Sequence, residues 1–371
     1  MAYQHGGNVW IAGGGGKLAP GKVVDFSANI NPLGPPPGVL SLLRKKTGYV
    51  RFYPEPHALT FRAACAEKLG VSPGQAIAGN GASELISLFF WTARPRRVLI
   101  PAPAYSDYAR AARAAGSRVD FFPPREGFAY PLELFAREVL RSRCDALVFG
   151  NPNNPTGVFW EDVTPLIEAA AEKGIPFLLD ASFFPFTGLD WLNWQEKNFF
   201  PLFWGGGDGR KGFHLFVVIS LTKIFALPGL RLGIGIGPPA LIERLAAAQD
   251  PWSVNVFAQL AGLACLDEKD YTAKAVALVE KEREYLRRGL QKIAGLRVFP
   301  SRANFLLAEG RLAGVSGAEL AGALAKRGLL IRDAGNFKGL DEFYFRLAVR
   351  KRAENRRLLK ALKEVILEKR R

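Results

Sequence analysis

Histidine and cysteine are scarce, at three each in 371 residues. His5, His57 and His214 form no pair with the spacing of a helical zinc motif, so no metal site is expected. Cys65, Cys144 and Cys265 are odd in number and far apart, with neither disulfide-framework nor metal-ligand spacing. A reducing cytoplasm is therefore the expected setting. Apolar runs never reach the ~18–20 residues of a membrane helix, so no membrane span is expected. Met1 to Trp10 shows no basic stretch leading into an apolar run, so no signal peptide is expected. Acidic residues are in deficit as well, 34 against 50 basic, for a formal net charge of +16. Such a field attracts anions, from nucleic acid to small phosphorylated molecules. Much of the excess lies between Arg346 and Arg371, where Leu358, Leu359, Leu362, Val365 and Ile366 recur at helical spacing. That pattern predicts a terminal amphipathic helix with a solvated basic face. With no recognition motif beside it, a nucleic-acid partner is not expected.

Glycine (39) and proline (25) are plentiful, and hydrophobic residues make up 49%. This is the profile of a folded α/β protein with many turns. The length exceeds what one core usually organises, which predicts a large domain and a smaller one. The run Gly13–Lys17 lacks the spacing of a phosphate-binding loop and follows no clear strand. From about residue 75 to 237, apolar runs at Arg97–Ile100, Ala146–Phe149, Phe177–Leu179 and Leu215–Ile219 alternate with helical patterns at Ser83–Thr92, Asp107–Ala115 and Asp162–Ala171. Alternation of this kind predicts a mainly parallel central sheet covered by helices. Gly233–Gly237 reads as a strand of small residues, since no dinucleotide-binding helix follows. Beyond residue 240 come a long helical stretch (Ile242–Ala248, Val256–Arg288), strands at Arg297–Phe299 and Phe305–Ala308, a helix near Ala318–Lys326 and a strand at Phe343–Val349. The expected division is 1–45 as an N-terminal segment joining the small domain and the substrate site, 46–240 as the large domain, and 241–371 as a small α+β domain.

In an open α/β sheet, ligands bind beyond the carboxyl ends of the strands. Four polar clusters stand there: Gly79–Glu84 opening a helix, Asn151–Gly157, Asp180, and Ser220–Lys223 with Arg231 eight residues on. Taken singly, Asn-Pro pairs form turns, a strand-end Asp caps a helix and a lysine is a surface charge. Together, in this order, they match the parts of pyridoxal 5'-phosphate (PLP). Ala82 and Ser83 at a helix start suit a phosphate, Thr222 and Arg231 can complete the cradle, and Ser220 is a further expected cofactor contact. Asp180 can pair with the pyridine nitrogen and keep the ring an electron acceptor. Asn154 can donate to the ring's phenolic oxygen, and Tyr105 can stack on the ring face. Lys223 can form the imine and act as base or acid near the reacting carbon.

The stretches NPNNPTG (Asn151–Gly157), the strand into Asp180, and SLTKIFALPGLRLG (Ser220–Gly233) resemble the fold-type I PLP enzymes of the aspartate aminotransferase superfamily. That resemblance implies the cofactor, a large PLP domain with a small domain built from both termini, and a homodimer. It also implies that Tyr53, in Arg51-Phe-Tyr53-Pro, reaches the cofactor phosphate of the neighbouring subunit. His5-Gly6-Gly7-Asn8 and DFSANINPLG (Asp25–Gly34) are similar to the histidinol-phosphate aminotransferase group and, closer still, to the threonine-phosphate decarboxylases of cobalamin biosynthesis. On that resemblance His5, Gly6, Asn29 and Asn154 would contact a phosphorylated amino-acid substrate, and Arg332 and Arg346 would hold its anionic groups. The implied reaction is decarboxylation of L-threonine O-3-phosphate to (R)-1-amino-2-propanol O-2-phosphate, with a histidinol-phosphate or related aminotransferase as the alternative. Two positions depart from the wider pattern. Phe183 stands where many aminotransferases have a tyrosine bonded to the ring oxygen, and Ala181 where an acidic residue is common.

Overall fold

A computed structural model describes residues 6–10, 23–199 and 215–369. His5, His214 and the glycine run Gly13–Lys17 lie outside the described residues.

A seven-stranded sheet organises the larger part. Its strands are β2 (Ala76–Asn80), β3 (Arg97–Pro101), β4 (Arg118–Phe122), β5 (Ala146–Gly150), β6 (Phe177–Asp180), β7 (Leu215–Ser220) and β8 (Leu232–Ile236). They run in the order β2-β8-β7-β6-β5-β3-β4, all parallel except β8, which is antiparallel to both neighbours. The inner strands are apolar throughout because helices cover both faces. Alternate residues serve opposite cores. Leu147, Phe149, Phe177, Leu179, Val217 and Ile219 fill one, while Val148, Leu178, Phe216 and Val218 fill the other. The covering helices include α3 (Ala82–Ala93), α4 (Ser106–Ala114), α5 (Leu132–Arg141) and α6 (Thr164–Lys173), preceded by α1 (Pro37–Lys45) and α2 (Leu59–Leu69) and followed by α7 (Trp191–Asn198). A short helix α8 (Leu221–Ile224) follows β7 without a break.

The glycine-rich strand is β8. A Cβ at Gly235 would stand 2.4 Å from the Phe216 ring, and one at Gly233 would stand 2.7 Å from the Ala82 nitrogen. Close packing on β7 and on the start of α3 explains both glycines.

The long helical stretch is two helices after β8 and a third beyond them. Helices α9 (Pro239–Ala248) and α10 (Val256–Asp267) are separated from α11 (Tyr271–Gln291), whose N-cap Asp270 has φ 59°. The change of pattern at residue 240 is not where the packing changes. Helix α9 lies on α3 and β2, and α10 lies on α2 and α1. Helical periodicity reports a buried stripe, not the layer it is buried against. The second part is built round the antiparallel sheet β12-β13-β10-β9, formed by β9 (Arg297–Val298), β10 (Phe305–Glu309), β12 (Arg332–Asp333) and β13 (Tyr344–Ala348). Helices α11, α12 (Gly317–Ala325) and α13 (Arg352–Lys369) pack on it. The terminal helix buries Leu358, Leu362, Val365 and Ile366 along one side, as its spacing requires.

The N-terminal segment joins this second part. Strand β1 (Val24–Asp25) pairs in parallel with β11 (Leu329–Leu330), and the Ala348 amide donates to the Phe26 carbonyl at 2.8 Å. Residues 26–29 are thereby carried from β1 to the ends of β5, β6 and β7.

Among the described residues no helix is long and apolar enough to cross a membrane, and no cluster of side chains is suited to a metal.

Candidate active site

Beyond the carboxyl ends of β5, β6 and β7 lies an open cleft, about 980 Å³ of empty space with the solvent at its mouth included. Fourteen of the expected site residues fall on described positions. Thirteen of them line this cleft: Gly6, Asn29, Ala82, Ser83, Tyr105, Asn154, Asp180, Ser220, Thr222, Lys223, Arg231, Arg332 and Arg346.

Asp180 is the last residue of β6 and is buried. Its Oδ1 accepts from the Ser182 amide at 2.9 Å, and its Oδ2 accepts from the Tyr108 hydroxyl at 2.6 Å. On the next strand, the Ser220 amide donates to Ser182 Oγ at 3.1 Å, and the Ser220 and Thr222 hydroxyls lie 2.8 Å apart. These bonds fix β6 and β7 relative to each other where Lys223 leaves the short helix α8. Burial, and then the positive charges of Arg346 and Arg231, push the Lys223 amine down to about 8, against a smaller opposing pull from Asp180. A lysine so placed has a sizeable neutral, nucleophilic fraction near physiological pH.

The start of α3 is a phosphate-sized cradle. Gly81 has φ +75°, and a Cβ there would stand 2.6 Å from Arg231 Nη2. Antiparallel pairing of β2 with β8 (Gly79 with Gly233, Asn80 with Leu232) sets Arg231 beside this turn. The first amides of a helix have no acceptor within it and favour an anion. With Arg231 and the hydroxyls of Ser83 and Thr222 at hand, the donor set fits a phosphate ester. The whole arrangement therefore suits PLP: an anion cradle, a buried carboxylate for the ring nitrogen, and an amine of lowered basicity.

The loop Asn151–Gly157 is tied from within. Asn151 bonds the Trp160 backbone through both side-chain atoms at 2.8 and 2.9 Å, and Asn153 Nδ2 donates to the Pro103 carbonyl at 3.1 Å. Asn154 faces the cleft. Its Oδ1 accepts from Arg346 Nη1 at 2.5 Å, which leaves its Nδ2 as a donor toward a ring oxygen. Tyr105, at the N-cap of α4, is anchored by its hydroxyl, which donates to Asp107 Oδ2 at 2.5 Å.

The second sheet contributes the cations. Arg332 and Arg346 are paired across β12 and β13, and both are buried. Arg346 Nη2 donates to the Ser27 carbonyl at 2.7 Å, while its guanidinium lies 5.4 Å from the Phe305 ring centroid. Burial first, and then the charge of Arg332, push Arg346 down to about 9. Arg332 is held by Asn336 Oδ1 at 2.7 Å and the Asp333 carbonyl at 2.6 Å, over the Phe337 ring. Two adjacent guanidiniums lining one cleft suit an anionic ligand. The Asp25 carboxylate gathers the Ser27 amide and hydroxyl at 2.7 and 2.6 Å, which fixes Ser27 to Asn29 in the cleft wall. Gly6 is needed against Ser27, since a Cβ there would stand 2.0 Å from the Ser27 carbonyl oxygen.

Tyr53 stands apart from the cleft: it is 81% exposed and rests on Trp252 with ring centroids 5.0 Å apart. Phe183 lines the cleft and packs edge-on against Phe305 at 5.0 Å. Ala181 is fully buried in the apolar core. Three contributors, Tyr108, Ser182 and Ser27, are absent from the sequence-based set. Tyr108 was within reach, being one helical turn after Tyr105 and hence on the same face.

A model of the family described as aminotransferase class I and II matches residues 21–362. A threonine-phosphate decarboxylase of Salmonella typhimurium is 33% identical over 367 residues, covering 98% of this chain and 96% of that protein. A histidinol-phosphate aminotransferase of Methanothermobacter thermautotrophicus is 31% identical over 356 residues, covering 93% and 89%. The solved L-threonine-O-3-phosphate decarboxylase from Porphyromonas gingivalis matches with a TM-score of 0.78 at 28% identity, over 92% of this chain and 99% of that one.

Proposed function

The chain belongs to the class I and II aminotransferase family and is a PLP-dependent enzyme, and we propose that it decarboxylates L-threonine O-3-phosphate to (R)-1-amino-2-propanol O-2-phosphate, a step of cobalamin biosynthesis. The observation that carries this reading is the Arg332–Arg346 pair, buried side by side over the cleft that contains Lys223. A substrate with both a carboxylate and a phosphate supplies one anion for each guanidinium.

When bound, PLP supplies a pyridinium ring that accepts the electron pair left by a departing carboxyl group. The start of α3 and Arg231 would hold its phosphate, Asp180 its ring nitrogen, Asn154 its phenolic oxygen and Tyr105 its face. Arg346 and Arg332 clamp the substrate's anionic ends. The phosphate is remote from the reacting bond, so its binding energy serves to orient the bond between Cα and the carboxylate. Lys223 then returns a proton to the carbon that has lost CO2. Phe183 has no hydroxyl to share the ring oxygen, which leaves that contact to Asn154.

The relative named histidinol-phosphate aminotransferase supports a second reading, transamination, on the same anchors. It differs in the bond broken, Cα–H in place of Cα–carboxylate. Incubation with L-threonine O-3-phosphate and PLP, without a 2-oxo acid, separates the two. Stoichiometric CO2 and aminopropanol phosphate over many turnovers are expected. No CO2, with amino transfer once 2-oxoglutarate and histidinol phosphate are added, would make it an aminotransferase.

The active unit is proposed to be a homodimer. Val50, Phe52 and Tyr53 are 73%, 57% and 81% exposed, and the Tyr53 ring rests on the half-exposed Trp252. A solvent-facing aromatic group of this kind fits contact with a second copy, in which Tyr53 would reach the partner's cofactor phosphate.

A further inference from the structure

Tyr105, at the N-cap of α4, and Tyr108, in its first turn, have ring centroids 5.5 Å apart and planes at 87°. Their hydroxyls serve different carboxylates. Tyr105 donates to Asp107, on its own helix, whereas Tyr108 reaches across to Asp180 Oδ2 at 2.6 Å. Tyr108 is 2% exposed and its body belongs to the apolar core under the sheet. The fold makes room for its hydroxyl: a Cβ at Gly150, the end of β5, would stand 2.9 Å from it. Burial, and then the charge of Asp180, push this hydroxyl well above its ordinary range, so it keeps its proton and acts as the donor.

We propose that Tyr108 is a positioning residue that stabilises Asp180 as a carboxylate and thereby sets how firmly the proton is held on the ring nitrogen of the cofactor. A carboxylate facing a pyridine nitrogen can share one proton in two ways, as carboxylate and pyridinium or as acid and neutral pyridine. A hydrogen bond donated to the carboxylate favours the first. In a buried site the effect is larger than in water. Without the phenol, Asp180 retains more charge for the proton and draws it off the ring. The inference rests on the PLP assignment alone and holds whichever bond to Cα is broken.

The test uses holoenzyme loaded with PLP labelled with nitrogen-15 in the ring. In Tyr108→Phe, the ring-nitrogen resonance is expected to move toward that of unprotonated pyridine. The kcat should fall about ten- to a hundredfold, the worth of one hydrogen bond to a charged group. KM should stay within about threefold, since the bond matters to the reacting state and not to substrate capture. Gly150→Ala keeps the phenol but crowds its oxygen, and should shift the resonance in the same direction; it decides the matter if Tyr108→Phe does not fold. A wild-type resonance in the folded variant overturns the proposal, whether or not activity falls. Activity that falls only in proportion to lost cofactor also overturns it, because that is what a packing role would give.

Discussion

Replacing Arg346 with methionine keeps most of the stem volume and removes the charge. Burial, and then the charge of Arg332, push the guanidinium down to about 9. Taking the charge out of water costs on the order of 5 kcal/mol before any partner is counted. Its two hydrogen bonds, to Asn154 Oδ1 and to the Ser27 carbonyl, return about 1.5–3 kcal/mol each. In the ligand-free protein the two sides nearly cancel, so Arg346→Met should change fold stability by less than about 2 kcal/mol. A bound carboxylate or phosphate shifts the balance. Two charge-assisted bonds to it add about 3–6 kcal/mol, which corresponds to about 10²–10⁴ in affinity. Calorimetric titration should therefore show L-threonine O-3-phosphate binding weakened at least about a hundredfold, with PLP binding weakened less than about tenfold. Equal losses for substrate and cofactor, or a collapse of the melting transition, would refute the reasoning and make Arg346 a residue of the fold.

Lys223→Met should stabilise the cofactor-free protein at pH 7 by up to about 3 kcal/mol, because the folded state otherwise holds an amine whose pKa has fallen from 10.5 to about 8. The cost is fully present below pH 8 and is lost as pH rises toward 10.5, where the unfolded chain also sheds its proton; the gap in denaturant midpoints should close over that window, and a constant gap would contradict the assignment. Gly81→Ala forces a side chain into positive φ and against Arg231 Nη2, and should weaken PLP binding about ten- to a hundredfold in a fluorescence titration. Mixing inactive Tyr53 and Lys223 variants should restore part of the activity if Tyr53 serves the neighbouring subunit's site. No recovery despite demonstrated subunit exchange would count against a shared site.

The central sheet was legible because β5, β6 and β7 are apolar on both faces and end in Gly150, Asp180 and Ser220. Strand-end polarity then pointed to residues that the fold brings together in one cleft. Strand β4, Arg118–Phe122, escaped because it is the partly exposed edge of the sheet and carries Asp120 among its apolar residues. Strand β2 escaped because Ala76–Asn80 consists mostly of small residues, which give no strong hydrophobic signal. Helices α9 and α10 have the right period but could not announce that they cover the main sheet's layers. In the site, Tyr108 and Ser182 act by bonding Asp180 across 72 and 2 residues. Spacing along the chain reveals neither bond, although the shared face of Tyr105 and Tyr108 hints at the first. The Arg332–Arg346 pair was found by resemblance. Its physical basis, a direct register match between β12 and β13, belongs to the tertiary structure.

Turnover of L-threonine O-3-phosphate in D2O, without a 2-oxo acid, reports which bond at Cα is broken. Decarboxylation predicts a product that keeps its original Cα hydrogen, gains one deuterium at that carbon and appears with one CO2 per molecule. Loss of the Cα hydrogen without CO2, and an amino group passed to added 2-oxoglutarate, would contradict it.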